Sequence, residues 1–459
     1  MIYSKNIEIK ESYDLVVCGG GFSGFAAAYS AAREGLKVLL IEKNSSLGGV
    51  GTNGLVNHLL GERVLEGNAV KTCIGGLFSQ IEREMLAMDG AIDYKDIDLN
   101  LPPQGWYGGL GIGMIFDKEK MKLYLERMLL SQNVKILYMT DIIDVIRDGS
   151  LQGIIVHNKS GLYGIAGKYF VDATGDADIC AMSGLKTFKG DEEGGLAAAS
   201  LEMHLENVDA DELIAYMRAT RDVRFKALIN DLKKKGIWKF PYEIFISVML
   251  MKKDTFMINT IRQVGIDGTD ADSVSQGIID GRKENFELLE IARQYFPGFK
   301  NATVRAIAPI LGIRETRRIE GEYTLTVEDL ITARDFDDSI ALSGYGWDMP
   351  NPKKPSYQPF HTVLRKSQIT QIPYRCLLPC GAPNLITVGR CISVEREVLG
   401  PVRVMGPCIA MGEAAGIATA LAWKENIPYN HVNIDTLRKK IVEMGGFVDR
   451  NQLKGAFYP

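Results

Sequence analysis

Residues 14–24, Asp14-Leu15-Val16-Val17-Cys18-Gly19-Gly20-Gly21-Phe22-Ser23-Gly24, decide the fold of this chain. Asp14 to Cys18 is a short apolar run that reads as a strand, and it leads straight into glycines spaced as G-x-G-x-x-G. Small residues follow (Ala26, Ala27, Ala28, Ala31, Ala32) and read as a helix broken at Gly35. A second apolar strand, Val38 to Ile41, ends on Glu42 and Lys43. Each part has a physical task. Gly19 allows a tight turn, Gly21 lets main-chain amides approach a pyrophosphate, and Gly24 lets helix and strand pack closely. The helix start at Phe22 and Ser23 presents N–H groups and a partial positive charge to phosphates.

Glu42 stands where a carboxylate accepts hydrogen bonds from the hydroxyls of an adenosine ribose. A 2′-phosphate would be repelled there, so the pattern favours FAD or NAD over NADP.

The chain has 459 residues, enough for two domains or one elaborated domain. Hydrophobic content of 46% and charged content of 24% are those of an ordinary globular protein. A net charge of −4 carries no polyanion-binding signature, so nucleic acid is not an expected partner. Seven cysteines are scattered (Cys18, Cys73, Cys180, Cys376, Cys380, Cys391, Cys408) without a C-x-x-C, and five histidines are dispersed. That argues against a zinc or iron–sulfur site and suits a reducing compartment. The first residues, MIYSKNIEIKESY, are too polar for a signal peptide, and the most apolar stretch, Cys408 to Trp423, carries Glu413. The expectation is a cytoplasmic protein without membrane spans.

Leu47-Gly48-Gly49-Val50-Gly51-Thr52-Asn53-Gly54 is a second glycine-rich turn, placed to let backbone approach the rest of a long cofactor. His58 follows; a lone histidine is more often structural than catalytic. Residues 76–88 read as an amphipathic helix, Asp96 to Gly113 as an ordered Gly/Pro-rich loop, and Met121 to Gln132 as a helix. Val134 to Leu137, Ile142 to Ile146, Gly153 to His157 and Gly164 to Ala166 read as successive strands, with turns at Asp148-Gly149 and Ser160-Gly161. The chain then reaches Tyr169-Phe170-Val171-Asp172-Ala173-Thr174-Gly175-Asp176, a buried strand with a sharp turn placed to cover the cofactor's adenosine end. A turn without function is the alternative. From Gly184 to Gln294 charged helical segments (209–235 and 273–296) flank a Met-rich piece, Phe245 to Met257, whose methionines read as core. A separate substrate or cap domain is the natural reading.

At Leu311 the chain becomes distinctive: Gly312-Ile313-Arg314-Glu315-Thr316-Arg317-Arg318-Ile319-Glu320-Gly321-Glu322-Tyr323. On a strand, Arg314, Thr316 and Arg318 share one face. The pattern favours mutual Arg–Glu pairing; the alternative is that Arg314 and Arg318 clamp a carboxylate. Tyr345, Trp347, Asp348 and His361 lie in a Pro-rich loop suited to lining a pocket. Asn384 to Arg390 is another buried strand ending in Gly389, and Arg403-Val404-Met405-Gly406-Pro407 leads into the small-residue helix 408–422. Pro407 is pre-shaped for a first helical turn.

These pieces together resemble the FAD-dependent oxidoreductase family, within the flavoprotein clan built on two dinucleotide-binding domains and distantly related to the fumarate reductase flavoproteins. The resemblance rests on VVCGGGFSGFAAAYSAAREGLKVLLIEK, VDATGDAD, GIRETRRIEGEYTLTVED, NLITVGRCIS and RVMGPCIAMGEAAGIATALA, and covers most of the chain. It implies an α/β fold: a Rossmann-like, glutathione-reductase-type FAD-binding domain with an inserted α+β cap. The implied division is 1–185 and 341–459 for the FAD-binding domain and 186–340 for the cap.

By the same resemblance, Gly19, Gly21 and Gly24 hold the pyrophosphate and Glu42 the ribose. Ile142 meets adenine through its backbone, while Ala173, Thr174 and Gly175 close over the adenosine half. Gly48, Gly49, Thr52 and Asn53 lie near the flavin ring, and Gly389, Arg390, Met405 and Gly406 border the ribityl chain and the pyrimidine edge. Relatives commonly carry a histidine where this chain has Arg396, and the histidine that anchors flavin covalently in succinate dehydrogenase types has no counterpart near Ser46; FAD is expected to be non-covalent.

The expected function is hydride transfer between a small organic substrate and flavin, with Arg314 and Arg318 orienting a carboxylate or polar substrate and Tyr345 and His361 as proton donors or acceptors. The helix start near Gly406 would favour negative charge on the ring by roughly 0.3–2 kcal/mol, about 6–40 mV for a two-electron couple. Alternatives are an NAD(P)H-dependent flavin reductase, which lacks a second G-x-G-x-x-G unit and a redox disulfide here, and a non-catalytic FAD-binding protein. The electron partner and oligomeric state are not specified by the sequence.

Overall fold

The structure is a computed structural model that describes residues 4–66, 69–96, 112–355, 357–360 and 362–455. His361 and most of the Asp96–Gly113 loop lie outside the described residues.

Strand β1, Ile9–Cys18, has Leu15, Val16, Val17 and Cys18 fully buried, as a strand covered on both faces requires. Helix α1, Phe22–Arg33, follows the Gly21 N-cap, and β2, Val38–Ile41, returns parallel to β1 with Leu15 opposite Val38. The strand Lys135–Leu137 extends this parallel set beyond β2. On the other side of β1 lies Gly161–Asp172, also parallel, with Val17 opposite Val171; its last residues pair in parallel with Leu385–Thr387. Two antiparallel strands, Ser150–Asn158 and Asp141–Asp148, complete the edge. Their turns place Gly149 and Gly161 at φ +68° and +95°, where glycine has no Cβ penalty. This is the α/β Rossmann-type sheet expected from the sequence.

Residues Phe22 to Ala32 of α1 are all buried. The sheet covers one face and the long helix Met405–Glu425 covers another, at very close range: a Cβ on Gly412 would lie 2.1 Å from Ser23 O, and one on Gly416 would lie 2.5 Å from Ala27 O. The small-residue composition of both helices is the condition for that approach. The Met405–Glu425 helix is long and apolar enough to cross a membrane, but 94% of its most apolar window is buried inside the protein. Its Glu413 carboxylate accepts from Leu77 N with both oxygens at 3.1 Å, closing the start of helix Leu77–Ala87.

A second sheet, in the order Ser247–Met249, Phe256–Ile258, Met203–Glu206, Thr303–Ile307, is antiparallel throughout. Under it sits a separate core rich in aromatics, including Phe225, Phe245, Phe296 and Phe299, with the helices Ala210–Thr220, Lys226–Lys234 and Ala271–Tyr295. Met257 is fully buried in a different cluster, with Ile244, Ile246, Val248 and Leu250.

Three local readings change. Helix Lys118–Ser131 starts three residues before Met121 because the Asp117 side chain accepts from Glu119 N and Lys120 N. The helical stretch at 209–235 is two helices, divided where Arg221 and Phe225 take φ of +57° and +55°. Most consequentially, only Arg317–Ile319 of the 311–323 segment is a strand, so the alternation from Arg314 to Arg318 does not hold.

Candidate active site

A single cavity of about 1410 Å³ runs from the Gly-rich end of β1 to the second sheet. That exceeds the roughly 300–1,000 Å³ of a typical small-ligand site, leaving room for a long dinucleotide and a second molecule.

At one end the three glycines behave as their spacing predicts. Gly19 has φ +109°, and a Cβ there would lie 2.4 Å from Ala173 O; one on Gly24 would lie 1.9 Å from Gly19 O. Gly21 faces open space with nothing within 4 Å. Helix α1 starts with no side-chain cap, so its first amides are directed at the cavity beside Gly21, Phe22 and Ser23. This arrangement fits a bound pyrophosphate. Glu42 lines the cavity while its Oε2 accepts from Gly20 N (2.7 Å) and its Oε1 from Asn44 N (2.8 Å), so it also fixes the loop it faces. Lys43 and Ile142 line the same end.

Ala173, Thr174 and Gly175 line the cavity on a turn held by Asp172. Asp172 Oδ1 accepts from Thr174 Oγ1 (2.7 Å) and Oδ2 from Ile179 N (3.0 Å); burial pushes its carboxyl up to about 6. Gly389 and Arg390 close this side. Arg390 pairs with Asp176 at 2.6 Å and donates to Thr316 Oγ1 at 2.9 Å.

The second glycine turn docks on the first through Gly48 N to Gly20 O (2.9 Å), with Gly48 and Gly49 on the cavity wall. Thr52 and Asn53 do not line it. Thr52 Oγ1 donates to Leu47 O, and Asn53 binds Ser46 through both ends of its amide, so they brace the turn from behind. Met405 lines the cavity, but Gly406 does not: its N–H donates to Leu60 O at 3.0 Å. With Pro407 lacking an N–H, the Val404 and Met405 amides are the donors that this helix start can offer. His58 also lines the cavity; burial lowers its pKa to about 3, which keeps the ring neutral.

At the far end Arg314 and Tyr345 line the cavity, with Ser200, Glu202, Asn259, Arg262, Asp348 and Arg403. Burial raises the Tyr345 phenol well above its usual range, so it stays protonated. Arg318 is not brought here. It is paired with Glu315 at 3.0 Å, and Glu315 also binds Arg396 at 2.9 Å and accepts from Ala197 N at 2.9 Å. The expected Arg314–Arg318 pair is therefore replaced by a buried Arg318–Glu315–Arg396 brace, the mutual pairing that the charge pattern favoured.

Sequence reading missed Glu202 and Arg262. The signals were present: Ser200, Glu202 and His204 alternate with Leu201, Met203 and Leu205, and Arg262 interrupts an apolar run. Nothing local said that those polar faces turn inward.

Among known proteins, a digeranylgeranylglycerophospholipid reductase of Methanothermobacter thermautotrophicus is 26% identical over 177 residues, 38% of this chain and 43% of the relative. The enzyme of that name from Thermoplasma acidophilum is 24% identical over 235 residues, 50% of this chain and 54% of the relative. The chain spans about half or less of the length of the curated relatives it matches. Among solved structures, a geranylgeranyl bacteriochlorophyll reductase-like protein of Thermoplasma acidophilum superposes with a TM-score of 0.47 at 15% identity, covering 94% of this chain and 84% of its own. The family described as FAD dependent oxidoreductase matches residues 14–441. The chain belongs to the FAD-dependent oxidoreductase family.

Proposed function

We propose that the protein transfers a hydride between a small organic substrate, bound in the chamber at the far end of the cavity, and non-covalently held FAD. The observation that carries this reading is the continuity of one cavity from the glycine cradle to Arg314 and Tyr345. FAD, when bound, supplies the two-electron chemistry.

This chain's own residues do the rest. The α1 amides and Gly21 hold the diphosphate, Glu42 takes the ribose, and the Thr174–Gly175 turn with Arg390 closes the adenosine half. Arg314 orients the substrate, and Tyr345 holds a proton at its phenol oxygen. Clustered polar and charged side chains around Arg314 favour a compact polar substrate over the long prenyl chains named for the reductase relatives.

Anaerobic mixing of the FAD-loaded protein with a metabolite panel is the test. One small polar compound should bleach the flavin band, with Arg314→Ala raising its KM or lowering its kcat. A panel that bleaches nothing, or an Arg314→Ala variant that behaves as the parent, refutes the reading. Rapid bleaching by NADH alone would instead assign an NAD(P)H-dependent reductase.

A further inference from the structure

Arg262 and Arg314 come from distant segments and converge on the same two acceptors. Arg262 Nη1 donates to Ser200 Oγ (3.0 Å) and Asn259 Oδ1 (2.8 Å), and to the carbonyls of Asn259 (3.1 Å) and Ile261 (3.0 Å). Arg314 Nη1 donates to Ser200 Oγ (2.8 Å) and Ala198 O (2.6 Å), and its Nη2 to Asn259 Oδ1 (3.3 Å). Every one of these acceptors is neutral, and among the described residues neither guanidinium forms an ion pair. Among the described residues all of Arg262's bonds use Nη1, which leaves its Nη2 and Nε without a partner there, and both arginines line the cavity.

Two like charges held this close, 7% exposed in the case of Arg262, are costly without a counter-ion. The two nearby carboxyls, Asp348 and Glu202, act on both arginines but form no direct ion pair with either among the described residues. Asp348 is matched to Arg403 at 3.0 Å. Glu202 is 2% exposed, makes no ion pair among the described residues, and its Oε2 has no hydrogen-bond partner. Further titratable or charged groups acting on the pair are Arg224 and Tyr242 on the Arg262 side and Arg403 and Tyr345 on the Arg314 side. Burial pushes the Glu202 carboxyl above its ordinary range against the pull of both arginines, so its charged form is disfavoured there. The chamber then holds two guanidinium groups without an ion pair among the described residues, beside an acid whose charged form burial disfavours. Planar forks of this kind recognise oxyanions bidentately.

We propose that Arg262 and Arg314 form the seat for the carboxylate of a substrate acid, and that the adjoining Glu202 carboxyl competes with that carboxylate for the pair when it carries charge. This rests on the chamber being the substrate site. An ionised Glu202 would both neutralise the pair and repel the incoming anion. Affinity for a carboxylate therefore falls as pH rises through the Glu202 titration, by up to about tenfold per pH unit, and binding above that point takes up a proton from solvent.

The experiment uses the full FAD-loaded chain with acetate, succinate, acetamide and inorganic phosphate as probes. Binding is read from the flavin's visible spectrum and by calorimetry between pH 6.5 and 9 in buffers of different ionisation enthalpy. Acetate or succinate should bind where acetamide does not, with proton uptake at the alkaline end. Glu202→Gln should abolish that uptake and flatten the pH dependence, and Arg262→Lys, which keeps a charge in the fold, should weaken carboxylate binding at least tenfold. Equal binding of acetamide, binding of phosphate only, or an unchanged pH profile in Glu202→Gln would each overturn the proposal. Carboxylate binding as described in a protein whose flavin no metabolite reduces would leave the seat standing and refute hydride transfer.

Discussion

Two neighbouring glycines make opposite predictions for the same Gly→Ala change. At Gly24 a Cβ would stand 1.9 Å from Gly19 O and 3.0 Å from the Ala173 Cβ. Real Cβ atoms essentially never come within 3.0 Å, so α1 must retreat by about 1.1 Å from the loop it starts beneath. Overpacking of that order costs roughly 1–3 kcal/mol, and Gly24→Ala should lower the urea midpoint of the FAD-free protein accordingly.

Gly21 is different. Its φ of −64° suits alanine, and no described residue lies within 4 Å of the new methyl group. FAD-free stability should stay within about 1 kcal/mol of the parent. The methyl would occupy the space that the α1 amides face, lengthening a charge-assisted hydrogen bond to phosphate beyond useful range. Losing one such bond costs roughly 1.5–3 kcal/mol, or about 10- to 150-fold in FAD affinity. Fluorescence titration of the apoprotein with FAD measures that term and chemical unfolding the other. Parental FAD affinity in Gly21→Ala, or parental stability in Gly24→Ala, would refute the assignment of this loop as the diphosphate cradle.

Three further outcomes follow from buried groups. Glu315→Gln leaves Arg318 and Arg396 without their shared carboxylate and should cost roughly 3–5 kcal/mol in unfolding free energy; an unchanged denaturant midpoint would show that the brace is dispensable. The Glu413 carboxyl, raised by burial from 4.5 to about 7, binds its proton more tightly folded than unfolded. Stability should therefore fall as pH rises from about 4.5 to 7, by roughly 3 kcal/mol at most. Glu413→Gln keeps an acceptor for Leu77 N and should remove that slope, as thermal melts across pH can check. Gly412→Val, aimed at the 2.1 Å approach to Ser23 O, should lower both thermal stability and FAD retention; loss of one without the other would separate this helix contact from the cradle.

The cofactor end of the molecule was legible in the sequence because its chemistry is local. A strand, a turn that demands positive φ at Gly19, an uncapped helix and an acid at position 42 are consecutive, and each tolerates few residue types. The antiparallel strands from Asp141 to Asp172 were legible for the same reason, through Gly149 and Gly161. The far chamber was not. Ser200, Asn259, Arg262 and Arg314 meet only in the tertiary structure, and no local rule specifies which polar side of Ser200–His204 turns inward. The alternation from Arg314 to Arg318 misled because Gly312 bridges to Ser200, whereas the strand that begins at Arg317 pairs with Thr187–Lys189. The two arginines thus belong to different pieces of backbone, and Thr52 and Asn53 carried a motif's position without its exposure.

The contact between α1 and the Met405–Glu425 helix also sets an order of events during synthesis. The surface that covers helix α1 is made nearly 400 residues after it. At roughly 5–20 residues per second, that leaves about 20–80 s in which an alanine-rich face has no partner. Flavin loading should therefore wait until Met405–Glu425 has been made, and ribosome-bound chains stalled before Met405 should be chaperone clients that do not retain the coenzyme.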